Sequence, residues 1–199
     1  MRLAVCCPGP SSLGERVRAS LEGLRAGFTV NLYGVGEAPL EEIVAREHER
    51  LLVPIADDPV CAPFLPVLRA IGGTVWLHDW SLRSLAGAYR PALGRGGLRS
   101  KLAGLREGGL AGLRGEQDAP LNRSVVRFGD SFLVHDEETR KAVLIERNAP
   151  TPTAILAHDD QLAQLVEALP PHRTNRRSLI SNAIEASDRA RDARRAGTD

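Results

Sequence analysis

The stretch GGTVWLHDWSL, residues 72–82, decides the fold of this 199-residue chain. Its two glycines predict a turn, and the apolar run after them predicts a buried β-strand. His78 and Asp79 follow at the carboxyl end of that strand. Because ligands of open α/β sheets bind outside the carboxyl ends of the strands, these two residues are the predicted centre of a functional site. Trp80 lies directly beside them, in a chain with few aromatic residues.

Strand and helix patterns alternate on both sides of this stretch. Five more runs typical of strands lie at residues 3–7, 28–33, 50–55, 131–134 and 153–157. Residues at helical spacing separate these runs, and such an order requires right-handed crossovers and a mostly parallel sheet. We therefore expect an α/β fold: a single doubly wound, mostly parallel, Rossmann-like sheet over residues 1–169.

A glycine- and serine-containing loop follows the first predicted strand. The four residues of interest in it are Gly9, Ser11, Ser12 and Gly14. Either serine is suited to cap a helix, and the free amides at a helix N-terminus attract anions. The loop has neither the dinucleotide-binding glycine pattern nor a Walker lysine, and most α/β proteins have a turn of this kind. Phosphate binding and a purely structural turn both stay open.

Histidine–aspartate pairs end three of the predicted strands. They are His78-Asp79, His135-Asp136 and His158-Asp159. Three such pairs at one edge can form a metal or acid–base site, although polar strand ends often carry such residues by chance. A joint site and three unrelated pairs both stay open, with His78 and Asp79 preferred. The acidic pair Asp57-Asp58, before Pro59, favours a cap of the following turn over a metal site.

Two regions differ in composition from the rest of the chain. Residues 87–118 form a glycine- and arginine-rich helical excursion whose segment 87–115 has Glu107 as its one acid. We favour a solvated helical hairpin covering one edge of the sheet, with contact to a membrane surface or an anionic acceptor as the alternative. Residues 170–199 predict a basic, weakly amphipathic C-terminal helix with a frayed end.

Composition excludes several classes of protein. The formal net charge is +1, so no nucleic-acid partner is expected. The three cysteines have neither disulfide nor metal spacing. The N-terminus opens directly into a strand pattern without a signal peptide, and no apolar run reaches the roughly 18 residues of a membrane span. The expected location is cytoplasmic, with peripheral contact at the inner membrane as a possibility.

The strand motifs together resemble a known family. The loop after the first strand, the run ending in Leu77-His78-Asp79, the helical excursion, and the run ending in Val134-His135 occur in the order found in the N-terminal half of family 4-type glycosyltransferases of the GT-B fold. The resemblance covers roughly residues 3–160. It departs from the family pattern at Asp136, where the family has serine.

The resemblance implies roles for the candidate residues. In such enzymes the N-terminal domain holds the acceptor, and its first loop, here residues 9–14, approaches the phosphates of the nucleotide-sugar donor. A histidine in the position of His78 faces the sugar, and Asp79 and Trp80 would shape the acceptor side of the cleft. His135 and Asp136 are candidate substrate contacts. No other cofactor and no metal is implied.

The family usually continues into a second Rossmann domain that carries most donor contacts, and that pattern is not found after Ala157. We therefore expect a glycosyltransferase-like, acceptor-side half that needs a separate donor-binding chain or a homo-oligomer. A non-catalytic binding or scaffold module derived from such a domain is the alternative. A small metal-dependent hydrolase is the third hypothesis, although the sequence supplies no full ligand set for it.

Overall fold

A computed structural model describes residues 1–45, 48–93 and 95–171. Six strands form one sheet in the order β2-β1-β3-β4-β5-β6, and every neighbouring pair is parallel. The strands are β1 (Arg2–Cys7), β2 (Thr29–Gly34), β3 (Arg50–Ile55), β4 (Thr74–Leu77), β5 (Ser131–Val134) and β6 (Thr153–Ile155). The expected Rossmann-like α/β fold is confirmed.

Helices cover both faces of this sheet. They are α1 (Ser12–Gly27), α2 (Glu41–Ala45), α3 (Phe64–Ile71), α4 (Arg83–Tyr89), α5 (Gly97–Arg114), α6 (Arg123–Phe128), α7 (Glu137–Arg147) and α8 (Leu162–Ala168). Helices α1 and α8 pack on one face, and α2, α3, α4, α6 and α7 pack on the other. Right-handed crossovers produce this division, because the chain moves one way from β1 to β2 and the opposite way from β2 onward.

Alternation along the strands divides the core into two layers. In β1, Leu3 and Val5 face α1 and α8, whereas Ala4 and Cys6 face the other helices. Parallel strands buried on both faces need apolar residues at consecutive positions, which is why the apolar runs predicted strands. Trp76 of β4 is fully buried on the α1 side. The first tryptophan of the opening stretch is therefore a core residue, directly beneath the carboxyl edge.

Polar contacts fix the alignment of β4 and β5 at their amino ends. The hydroxyls of Thr74 and Ser131 are 2.9 Å apart in the buried sheet. Just before them, the Asp130 carboxylate accepts a hydrogen bond of 3.0 Å from the amide of Gly73. Gly72 has φ +74°, and a β-carbon there would collide with that carboxylate. The glycine pair is thus needed for both the turn and the close approach of Asp130.

Helix α5 is broken by one residue and anchored by another. Gly109 has φ +61°, which kinks the helix so that Gly104 and Gly112 come into backbone contact. Glu107 is only 2% exposed. Its carboxylate accepts hydrogen bonds from the amide of Ser124 at 3.1 Å and the hydroxyl of Ser124 at 2.6 Å, and it pairs with Arg90. The single acid of the basic segment therefore ties α5 to the start of α6.

All three cysteines are buried free thiols. Burial raises the pKa of Cys61 to about 11 and places that of Cys6 further still above the ordinary thiol range. Thiolates are accordingly scarce at Cys6 and Cys61, and all three buried cysteines serve as small apolar core residues.

Among the described residues, no helix is both long and apolar enough to cross a membrane. The predicted basic C-terminal helix lies outside the described residues, apart from its first two positions, residues 170 and 171.

Candidate functional site

Two of the predicted histidines meet at the carboxyl edge of the sheet. Trp76 of β4 pairs in register with Leu133 of β5, so the positions two residues onward, His78 and His135, are also side by side. The Nδ1 atom of His78 lies 3.3 Å from Nε2 of His135, and the ring centroids are 5.1 Å apart. Alternation places both rings on the α1 side of the sheet. The two strand motifs thus converge on one site.

Arg16 of α1 completes this cluster, which we call the histidine cluster: His78, His135 and Arg16. The guanidinium NH1 of Arg16 lies 3.4 Å from Nδ1 of His78. Because guanidinium groups only donate, this contact requires Nδ1 of His78 to accept and Nε2 to carry the proton. His135 then also donates from Nε2 toward the same nitrogen. Sequence reasoning missed Arg16, since its only signal was a position one turn inside the first helix.

The environment of His78 keeps its imidazole neutral. Burial, with the nearby His135 and Arg16, lowers the pKa of His78 to about 3. Its ring packs against that of Trp76 at a tilt of 43°, with centroids 4.6 Å apart. The Nε2 atom of His78 and the indole Nε1 of Trp76 are both buried without a protein hydrogen-bond partner among the described residues. A neutral His78 therefore carries a buried N–H group that no acceptor among the described residues satisfies.

The predicted loop lies at the start of α1, beside the histidine cluster. Gly9 has φ +69°, and its carbonyl accepts hydrogen bonds from the amide of Ser11 at 3.0 Å and from Arg18 at 3.1 Å. Ser11 is the N-cap of α1, accepting from the amide of Gly14 at 3.0 Å. Ser12 is exposed and lies one turn before Arg16 on the same helix face. The loop is thus a built turn that faces the site through Ser12 and Arg16.

Asp79 and Trp80 are held by their neighbours. The Asp79 carboxylate is exposed and accepts a hydrogen bond of 2.9 Å from the amide of Asp57. Trp80 is half-buried against the core, and its carbonyl accepts from the side chain of Asn122 at 2.8 Å. The backbone of both residues is therefore fixed at the carboxyl edge.

The acidic pair after β3 consists of capping residues. Asp57 accepts hydrogen bonds from the amides of Ser84 and Leu85, at 2.6 and 3.1 Å, and thereby caps α4. Asp58 accepts from the amide of Val60 at 2.9 Å and caps a 3-10 turn. The capping role expected from the sequence is confirmed for Asp58, which caps the turn that follows it. Asp57 instead caps a different helix, α4.

Asp136 and the third pair lie apart from the histidine cluster. The Asp136 carboxylate caps α7 by accepting a hydrogen bond of 2.6 Å from the amide of Thr139. Hydrogen bonding to Thr139 lowers the pKa of this carboxyl. Leu133 pairs with Ala154, so the residue beside His135 is Leu156. His158 lies two positions further out and is exposed. Among the described residues, no group of three or more His, Cys, Asp and Glu side chains could hold a metal ion.

An all-parallel sheet with a polar cluster at its carboxyl edge defines a Rossmann-like α/β domain with a candidate ligand site. Comparisons of the chain with protein-family models, with curated proteins and with solved structures found no match.

Proposed function

We propose that this domain is the acceptor-side half of a glycosyltransferase that uses a nucleotide-sugar donor. The observation that carries the proposal is the convergence of Arg16, His78 and His135, which come from the first helix and from both strand motifs. If the resemblance of the sequence motifs to glycosyltransferases were accidental, these three residues would have no reason to lie in one site.

The position of the loop after β1 supports the same proposal. The strand order reverses between β1 and β3, and ligands of doubly wound sheets bind at the carboxyl edge near such a reversal. The loop containing Gly9 follows β1, and Arg16 connects it to His78. A phosphate-bearing ligand there would meet the N-terminus of α1 and one guanidinium, both of which favour negative charge.

His78 and Asp79 have different proposed roles in the transfer reaction. With a pKa of about 3, His78 is neutral near pH 7, so it acts as a hydrogen-bonding group that orients a sugar hydroxyl. Asp79 is exposed and follows His78 in sequence, and its carboxylate is the proposed acceptor of the proton from the attacking acceptor hydroxyl. Attack on the anomeric carbon releases the nucleoside diphosphate, whose charge Arg16 and the α1 amides stabilise.

Transfer also needs a second wall of the cleft. The described residues form one sheet, and reaction requires donor and acceptor to be held together. We propose that a donor-binding domain outside the described residues supplies that wall, from a partner chain or a second copy. No metal has a role in this proposal.

Nuclear magnetic resonance of the imidazole groups tests the binding part. UDP-glucose should shift the ring signals of His78 and His135 more than UDP alone does, because the sugar reaches His78. Arg16→Ala should weaken binding roughly tenfold or more, since hydrogen bonds to charged groups contribute about 1.5–3 kcal/mol. Arg25→Ala, an exposed arginine in the last turn of the same helix, is the matched control.

Absence of any shift at 10 mM of UDP-glucose and GDP-mannose, or equal losses in the two arginine variants, would contradict the proposal. The catalytic part is tested with a donor-domain chain recovered by cross-linking. His78→Ala and Asp79→Asn should each lower the transfer rate of that complex. Binding with no transfer by the wild-type complex would favour the non-catalytic module instead.

A further inference from the structure

A second concave site lies on the other face of the sheet, between α3, α5, α6 and α7. It is a cavity of about 1060 Å³. Six arginines line it: Arg69, Arg90, Arg106, Arg123, Arg127 and Arg147. The chain as a whole has a formal net charge of only +1, so this concentration of positive charge is local.

Three of the six arginines are held in place by protein groups. Arg90 pairs with the buried Glu107, and Arg123 lies 2.5 Å from Glu146. Arg147 donates to the carbonyls of Val126 and Arg127, at 2.7 and 2.5 Å, at the end of α6. The guanidinium of Arg123 also lies over Gly109, where a β-carbon would come within 2.6 Å of it. The kink of α5 thus makes room for the cavity wall.

The other three arginines have no carboxylate partner among the described residues. Arg69 lies over the ring of Phe128, 6.0 Å from its centroid, while Arg106 and Arg127 are exposed. Arg69, Arg106 and Arg127 thus bring three formal positive charges to the cavity lining in addition to the paired arginines Arg90 and Arg123. Like charges so close together repel, and an anion between them removes that repulsion.

We propose that this cavity binds a small molecule that carries two or more linked phosphate groups. Guanidinium groups pair with phosphate oxygens through two parallel hydrogen bonds, and three arginines facing one space match several such oxygens. The site is concave and has the volume of a small-molecule pocket, which favours a soluble compound over a membrane surface or a duplex. Inorganic pyrophosphate and nucleoside diphosphates share this chemistry.

The cavity is separate from the histidine cluster. Arg69 and Phe128 precede the amino ends of β4 and β5, whereas His78 and His135 follow their carboxyl ends. The cavity lies on the side of α3 and α6, and the histidine cluster on the side of α1. The inference therefore does not depend on the proposed glycosyl transfer.

Calorimetric titration of the full chain with inorganic pyrophosphate and with ADP tests the proposal. The double variant R106E/R127E should bind pyrophosphate at least tenfold more weakly than wild type. Its control is R95E/R99E, which makes the same change in charge at exposed positions outside the cavity. That control should stay within about threefold of wild type, and R16A should leave the cavity's binding intact. Tighter binding of ADP than of pyrophosphate would indicate a nucleotide ligand, and the reverse would indicate a polyphosphate.

The proposal would be overturned if neither compound binds at 10 mM, or if both double variants lose pyrophosphate binding equally. Complete loss of pyrophosphate binding in R16A would also contradict it. So would cavity-dependent binding only to phosphatidylglycerol vesicles, if pyrophosphate does not displace them. Since charge reversal can unfold a domain, the neutral variant R106Q/R127Q is measured beside R106E/R127E. Thermal melting followed by circular dichroism establishes that each variant is folded. A folded R106Q/R127Q that binds like wild type would also refute the site.

Discussion

His78 shows how one residue is shaped by neighbours distant in sequence. Its ring packs against that of Trp76, its Nδ1 faces Arg16 and His135, and its Nε2 is buried without a protein partner among the described residues. Burial of the ring, with His135 and Arg16 beside it, disfavours an added proton. The result is an imidazole that stays neutral well below the pH at which free histidine charges.

This neutrality makes stability depend on pH. The pKa of His78 is about 3 in the folded protein and about 6.5 when unfolded, so the unfolded chain takes up a proton first as the pH falls. Stability contributed by the neutral ring is therefore complete above pH 6.5 and is lost toward pH 3. Between pH 7 and pH 5 we expect wild type to lose about 2 kcal/mol more unfolding free energy than His78→Gln.

Urea denaturation at a series of pH values measures this difference. His158→Gln, which removes an exposed imidazole outside the histidine cluster, is the matched control. If wild type and His78→Gln lose stability in parallel, the buried neutral ring is not the cause.

Sequence reasoning found His78 and His135 because each directly follows an apolar strand. It could not separate them from His158, which follows the same kind of run. The difference is a register offset of two residues between β5 and β6, and such offsets depend on pairing between strands. Arg16 was missed for a related reason, since it meets His78 across 62 positions of sequence.

At the scale of elements, α5 is held by one buried carboxylate. The Glu107 carboxylate accepts the hydrogen bonds of the Ser124 amide and hydroxyl at the start of α6. It also neutralises the charge of Arg90, whose side chain is largely buried. The apolar side chains of Leu98, Leu102 and Leu110 are exposed, so they contribute little burial. Five glycines lie in this helix and weaken it further, since a glycine in a helix interior costs roughly 1 kcal/mol relative to alanine.

Replacing Glu107 should therefore be costly. Glu107→Gln should lower the unfolding free energy by roughly 2–4 kcal/mol, because it leaves Arg90 with an uncompensated charge in a partly buried site. Glu116→Gln, which removes a surface ion pair with Arg114 at 3.5 Å, should cost less than about 1 kcal/mol. Guanidinium chloride denaturation compares them, and equal small losses would refute the anchoring role.

The helical character of this excursion could be predicted from leucines at helical spacing, but the kink could not. Several glycines compete for that role, and only the packing of Gly104 on Gly112 and of Arg123 over Gly109 selects one. Glu107 did carry a signal, since a lone acid in a basic segment is suited to be a counter-charge. The arginine cavity combines residues from helices α3 to α7 and the turns between them, which no local pattern brings together.

For the whole molecule, stability should decrease from the sheet centre toward α5. Strands β3 and β4 are buried and are paired on both sides, whereas only four residues of α5 are buried. Hydrogen exchange followed by mass spectrometry should show residues 50–55 exchanging only through global unfolding and residues 97–114 exchanging much faster. Comparable protection of both segments would contradict this gradient.

The fold class was predictable because consecutive apolar residues occur where parallel strands are covered on both faces. The strand order was not, because right-handed crossovers allow several orders for the same succession of elements.

That strand order also determines how the sheet grows as the chain leaves the ribosome. If the strands pair in the order of their synthesis, β3 adds to the other side of β1 after β2 has paired with it, and β4, β5 and β6 then join the same edge in turn. Until synthesis reaches β6, the outermost strand is always an apolar one with unpaired backbone groups, the kind of edge that recruits other nascent chains. Strand β6 is the final edge strand on this side of the sheet. It has only three residues, all half-buried, so it offers other chains a short edge for pairing.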